Sequence, residues 1–128
     1  MTSATVAPYH ELYGLKFSGR AKGKLNDLGQ NRTEAAYDAV LAGLLQAGQI
    51  LWYKFEALKL RLADGAYYTP DFAVMTADGY IECHETKGFW REAGRVRIKV
   101  AAEHFPFRFV AVKMKAKKDG GGWEYEEF

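Results

Sequence analysis

Between residues 33 and 47 apolar side chains recur at helical spacing: Ala36, Val40, Leu44 and Ala47, with Tyr37 and Leu41 beside them. Positions three or four apart share one face of an α-helix. Asn31 and Thr33 can cap its start, Glu34 adds an acid where the helix dipole favours one, and Gly48 stops it. The spacing predicts a helix over 32–47. Aromatic and aliphatic residues then crowd 50–55 and 57–62, predicting two strands, or one strand with a bulge near Glu56. Asp64-Gly65 marks a turn, and 67–75 reads as the next strand. Pro70 within it points to an edge position or a bulge. Asp78-Gly79 marks a second turn before a strand over 80–87.

Gly88 breaks that strand, and 90–105 reads as a second helix. Its inner face is expected to be Ala93, Val96, Val100, Ala101 and either His104 or Phe105. Pro106 ends it. A core strand follows over 107–114, then a polar, Gly-rich connection over 116–122 and a short edge strand over 123–128. A helix linking 80–87 to 107–114 makes those strands parallel, because antiparallel neighbours need only a tight turn. The order α-β-β-β-α-β implies an α/β fold, a mixed sheet with helices on its faces. Residues 1–30, with Gly14, Gly19, Gly23 and Gly29 and scattered bases, read as a mostly irregular basic arm ahead of a domain over 31–128.

The length of 128 residues fits one such domain, and 48% apolar residues suffice for one core. Cys83 is the single cysteine, so neither an internal disulfide nor a Cys-rich zinc motif is available. No apolar run approaches a membrane span, and the first residues lack the order of a signal peptide, so a cytoplasmic protein without membrane contact is expected. Net charge is only +2, but its distribution is uneven. Residues 31–86 sum to −4 and residues 87–118 to +8, the latter with ten bases against Glu92 and Glu103. A basic surface attracts polyanions, and acids beside it attract divalent cations. An unevenly charged solvated surface is the alternative.

The chemistry concentrates in Tyr68-Thr69-Pro70-Asp71-Phe72 and Glu82-Cys83-His84-Glu85-Thr86-Lys87-Gly88. Strand side chains alternate faces, so Glu85 and Lys87 share one. A tight turn centred near residue 78 sets Asp71 opposite Glu85. Two adjacent carboxylates repel and raise each other's affinity for a proton. A divalent metal removes that penalty, and a lysine beside it can orient water or stabilise developing negative charge.

Pro70-Asp71 and Glu85-Thr86-Lys87 resemble the split motif of the PD-(D/E)XK nuclease superfamily. The chain is also similar to small phage and prophage proteins of that superfamily. That closer likeness rests on Gly14-Leu15-Lys16-Phe17, Thr33-Glu34-Ala35, the two segments above and the basic helix after them, over roughly residues 12–113. Relatives run from the Gly-Lys-Phe segment straight into the helix, whereas here residues 18–30 intervene. The resemblance implies a restriction-endonuclease-like fold and a metal-dependent DNA endonuclease. Asp71, Glu85 and Glu34 would be carboxylate ligands of Mg²⁺ or Mn²⁺, the Thr86 carbonyl a further ligand, and Lys87 would position the attacking water.

Arg91, Arg95 and Lys99, spaced by four, form one stripe on the second helix and are candidates for phosphate contact, with Arg20, Lys22 and Lys24 of the arm. The stripe also reads as an ordinary solvated face, Asp71–Glu85–Lys87 as a surface ion cluster, and Glu34 as a first-turn acid. Phe89 and Trp90 could stack on bases or simply pack. His84 alternates away from Glu85 and is expected to be packed or hydrogen-bonded. Duplex or branched DNA is the expected partner, a homodimer could cut two strands, and a phage or host protein could supply specificity. The competing functions are a non-catalytic nucleic-acid-binding or phage regulatory module, and a protein-interaction domain.

Overall fold

A computed structural model of the chain describes residues 25–87 and 92–128. Helix α1 (Arg32–Gln46) forms where the spacing predicts it. The Asn31 side chain accepts the Glu34 N–H at 2.8 Å, and a Glu34 carboxylate oxygen accepts the Asn31 N–H at 2.8 Å. This reciprocal pair satisfies two donors that the first helical turn leaves over. Tyr37 and Leu41 are fully buried toward the sheet, with Val40 and Leu44 beside them, while Ala47 is exposed at the C-cap. A hydrogen-bonded turn leads into the helix. Asn26 Oδ1 accepts the N–H groups of Leu28 and Gln30, and buried Gln30 donates to Asp38 at 2.6 Å.

Five strands lie side by side in the order β1 (Ile50–Phe55), β4 (Phe72–Thr76), β5 (Ile81–Lys87), β6 (Arg108–Met114), β7 (Trp123–Glu127). The first three are antiparallel. β5 and β6 are parallel across helix α2 (Glu92–His104), as the crossover predicts. β7 returns antiparallel at the outer edge after a 3-10 turn at Lys117–Asp119. The described residues therefore form a mixed α/β fold with a five-stranded mixed sheet and two α-helices. No helix among the described residues is long and apolar enough to cross a membrane.

Residues 56–71 depart from expectation. The chain leaves the sheet at Glu56, whose φ of 48° is left-handed. It then builds a separate two-stranded hairpin, β2 (Leu60–Ala63) and β3 (Ala66–Tyr68), before rejoining the sheet as β4. The strand expected over 67–75 is thus two strands, broken at Thr69-Pro70-Asp71. Pro70 has no N–H to give a ladder and is buried at the break. The Asp71 carbonyl accepts the Glu56 N–H at 2.8 Å and closes the excursion at its base.

Each sheet face has its own core. On one, Tyr37 and Leu41 pack with Ile50, Phe72, Val74, Val110 and Val112. Full burial of Leu41 and Phe72 contributes roughly 1.5–3 kcal/mol each. On the other, Leu60 and Tyr68 of the hairpin pack with Cys83, Phe109, Ile98 and Ala101. The inner face of α2 differs from the expected one: Ile98 and Ala101 are buried, whereas Ala93, Val96 and His104 are exposed. Small apolar residues occur on several sides of this helix, and the hairpin and β6 select the side that presents Ile98.

Candidate active site

β4 and β5 meet through the turn at Asp78-Gly79. Gly79, at φ 87°, takes the left-handed position that side chains disfavour, and its N–H bonds the Thr76 carbonyl at 2.9 Å. The ladder pairs Phe72 with His84, Ala73 with Cys83, Val74 with Glu82 and Met75 with Ile81. That register is centred on residue 78, as the tight turn predicts. One step beyond the last pair, Asp71 falls opposite Glu85.

Side-chain bonds lock this meeting. The Asp71 N–H donates to Glu85 Oε1 at 3.0 Å. Asp71 Oδ2 accepts both the Thr86 N–H at 2.9 Å and the Thr86 hydroxyl at 2.8 Å. Lys87 Nζ lies 3.2 Å from Glu85 Oε2. The group sits at the C-terminal end of β5, beside a parallel neighbour. Open α/β sheets commonly bind ligands at such strand ends.

The electrostatics are adverse. Burial, then the charge of Glu85, then that of Glu34, hold the Asp71 carboxyl well above the usual carboxylate range, although the two Thr86 bonds oppose the shift. Glu34 is itself buried at 2% exposure; its carboxylate serves the helix cap, and its charge is felt at Asp71. Tyr68 of the hairpin closes one side. Its hydroxyl is held protonated by burial and by the nearby Glu85 and Asp71 charges. The Cys83 thiol is pushed up to about 12 by burial and by Glu85, which makes it a poor nucleophile.

The expected residues Asp71, Glu85, Thr86 and Lys87 are therefore brought together, and the Glu34 charge acts on Asp71. The basic candidates divide. Arg20, Lys22, Lys24 and Arg91 lie outside the described residues, as do Phe89 and Trp90. Lys99 is exposed. Arg95 donates to Glu126 Oε1 at 3.0 Å and Oε2 at 2.6 Å and lies over the Phe128 ring. It is thus held by β7. The sequence carries no signal for this pair, because its partners lie 31 residues apart in the chain and meet only once the sheet is built. The role of Tyr68 was equally hidden. It depends on the hairpin folding back onto β5.

His84 faces α1, as alternation predicts. Its Nδ1 lies 2.6 Å from the Tyr37 hydroxyl and its Nε2 2.9 Å from Glu82 Oε1, and Arg108 donates to Glu82 Oε2 at 3.1 Å. His84, followed by Arg108, keeps the Glu82 carboxyl below its usual range, against the effect of burial.

Among the described residues no group of three or more histidine, cysteine, aspartate or glutamate side chains is gathered to hold a metal ion. The arrangement offers two converging carboxylates with the Glu34 charge nearby. Mg²⁺ keeps several waters and takes few protein carboxylates, and two buried acids that repel are a pair a divalent cation relieves. The residues present fit such an ion on those grounds. Comparison with family models, with curated proteins and with solved structures finds no match for this chain.

Proposed function

We propose that the protein is a metal-dependent DNA endonuclease of the PD-(D/E)XK type, its mixed sheet being a restriction-endonuclease-like core. The observation that carries this reading is the buried Asp71–Glu85 pair, acid against acid, with Lys87 on Glu85. A fold gains nothing in stability from such a pair. Asp71 and Glu85 would hold Mg²⁺ or Mn²⁺, with the Thr86 carbonyl and Glu34 completing the set. When bound, the ion would supply charge stabilisation for phosphodiester hydrolysis and lower the pKa of a coordinated water.

The chain's own residues have distinct parts. Thr86 orients Asp71 through two bonds to one oxygen. Lys87 holds Glu85 from outside and offers positive charge where the reacting phosphate gathers negative charge. Tyr68 and the hairpin exclude water from one side of the pair. Lys99, Arg95 and the basic residues of the arm would take the DNA backbone, duplex or branched. The competing reading is a non-catalytic nucleic-acid-binding module, and what favours it is the double use of Glu34, whose carboxylate already serves the helix cap.

The test is a cleavage screen with Mg²⁺ and with Mn²⁺ on duplex, single-stranded and branched DNA and on RNA, comparing wild type with Asp71→Asn. Metal-dependent cutting that the variant loses supports the proposal. DNA binding without cutting on any substrate would replace the enzyme by the binding module.

A further inference from the structure

The Tyr37 hydroxyl and His84 Nδ1 are joined across 47 residues of sequence by a 2.6 Å contact between two buried side chains. Neither residue has a part in the reading above, but both adjoin residues that do. Tyr37 follows Glu34 by three residues on α1, so the two lie on neighbouring turns of one side of the helix. His84 directly precedes Glu85 on β5 and points to the opposite face.

The link is rigid at both ends. The His84 ring is engaged at both nitrogens, since Glu82 meets Nε2 and is itself held by Arg108. The Tyr37 ring sits edge-on to Phe72 and Trp123, with centroids 5.7 Å and 5.1 Å away, and its hydroxyl also faces Tyr125. A second polar contact ties α1 to the far strand β1, where the Tyr53 hydroxyl donates to Asp38 Oδ1 at 2.7 Å, but toward β5, the strand of Glu85, the directional contact is Tyr37–His84, and Leu41 adds apolar packing. Apolar burial is non-directional and tolerates small sliding, whereas a hydrogen bond admits a narrow range of distance and angle. Glu34 rides on the same helix and is close enough to Asp71 for its charge to be felt there.

We propose that the Tyr37–His84 hydrogen bond fixes α1 against β5 and thereby sets Glu34 against the Asp71–Glu85 pair, which makes Tyr37 and His84 positioning residues of the site. The inference rests on the metal-site reading above. Residues behind the ligands tune metal affinity by orienting them rather than by touching the ion, and here the link to Glu34 runs through the helix that carries both.

The test is a double-mutant cycle read by calorimetric titration with Mn²⁺ alone, without DNA. Asp71→Asn is included as the control for the metal site. Tyr37→Phe removes only the hydroxyl and is expected to weaken Mn²⁺ binding about tenfold or more, the range typical of such outer partners. Glu34→Gln should weaken it at least as much. The double variant should bind no more weakly than Glu34→Gln, because the hydroxyl acts through Glu34. If Tyr37→Phe does not fold, His84→Phe breaks the same bond from the strand side and takes its place in the cycle. Unchanged affinity in the single variant, or losses that add in the double, would overturn the positioning role while leaving the metal site standing. A wild-type protein that binds no Mn²⁺ would overturn the site and this inference together.

Discussion

The two faces of β5 carry similar side chains and use them in opposite ways. Toward α1, Glu82 is met by His84 and Arg108, and its carboxyl is more acidic than usual. Toward the hairpin, Glu85 is met by the buried Asp71, the Glu34 charge is felt at Asp71, and Lys87 pairs with Glu85. The first arrangement satisfies itself. The second stores a repulsion that a proton or a cation relieves. An acid paired with a base holds a fold together, whereas buried acids facing one another cost stability that a proton or a bound cation offsets.

Neutralising the second arrangement should give the largest effect. Asp71→Asn keeps an oxygen for the Thr86 N–H and hydroxyl but removes the charge. Cleavage should fall by about three orders of magnitude, since charge stabilisation of several kcal/mol is lost and each 1.36 kcal/mol is a factor of ten. Thermal melting of the metal-free protein should nevertheless move upward. Asp71→Ala should instead melt lower, because leaving the Thr86 donors unpaired costs roughly 1–3 kcal/mol. An Asn variant that melts lower and still cuts would erase the contrast between the faces.

Acid titration of stability separates the same two faces by sign. The folded-state pKa of Asp71 is raised above its unfolded value near 3.8, so the folded protein takes up this proton first. Stability should therefore rise as pH falls from neutral through that raised value. The folded-state pKa of Glu82 is lowered from 4.5, so its stabilisation is present above that value and is lost as pH falls through the lowered one. Urea melts of metal-free protein across this range should show a gain followed by a loss. Asp71→Asn should delete the gain, and Glu82→Gln should flatten the loss. A stability that only declines from neutral pH downward in wild type would contradict the assignment.

The smallest effect concerns Glu126, an acid paired with a base at the surface. Its bond to Arg95 occupies a residue of the basic stripe. Glu126→Gln should tighten DNA binding, measured in Ca²⁺ to block cutting, and steepen its salt dependence by about one phosphate contact. Reversing Arg95 and Lys99 to Glu should weaken binding to all sequences alike and flatten the slope. Identical slopes in all three proteins would leave α2 a solvated face.

Much of this molecule was legible from local pattern. The spacing of Tyr37 and Leu41, the cap at Asn31, the crossover that makes β5 and β6 parallel and the edge position of β7 each follow from short-range rules of periodicity, capping and connection length. So does the meeting of Asp71 with Glu85, since a two-fold alternation counted from one tight turn fixes which residues face each other. The excursion of residues 56–71 was not legible. Leaving a sheet or bulging within it uses similar aromatic and aliphatic residues, and the choice was made at Glu56 by contacts with Asp71 fifteen residues on. The inner face of α2, the capture of Arg95 by Glu126, the wall formed by Tyr68 and the Tyr37–His84 bond likewise join segments far apart in the chain. Their energies depend on burial and on distances that exist only once both sheet faces are covered, so local periodicity holds no trace of them. The sequence by itself determined which residues could meet across one hairpin, and the tertiary structure decided how deeply they are buried and what holds them there.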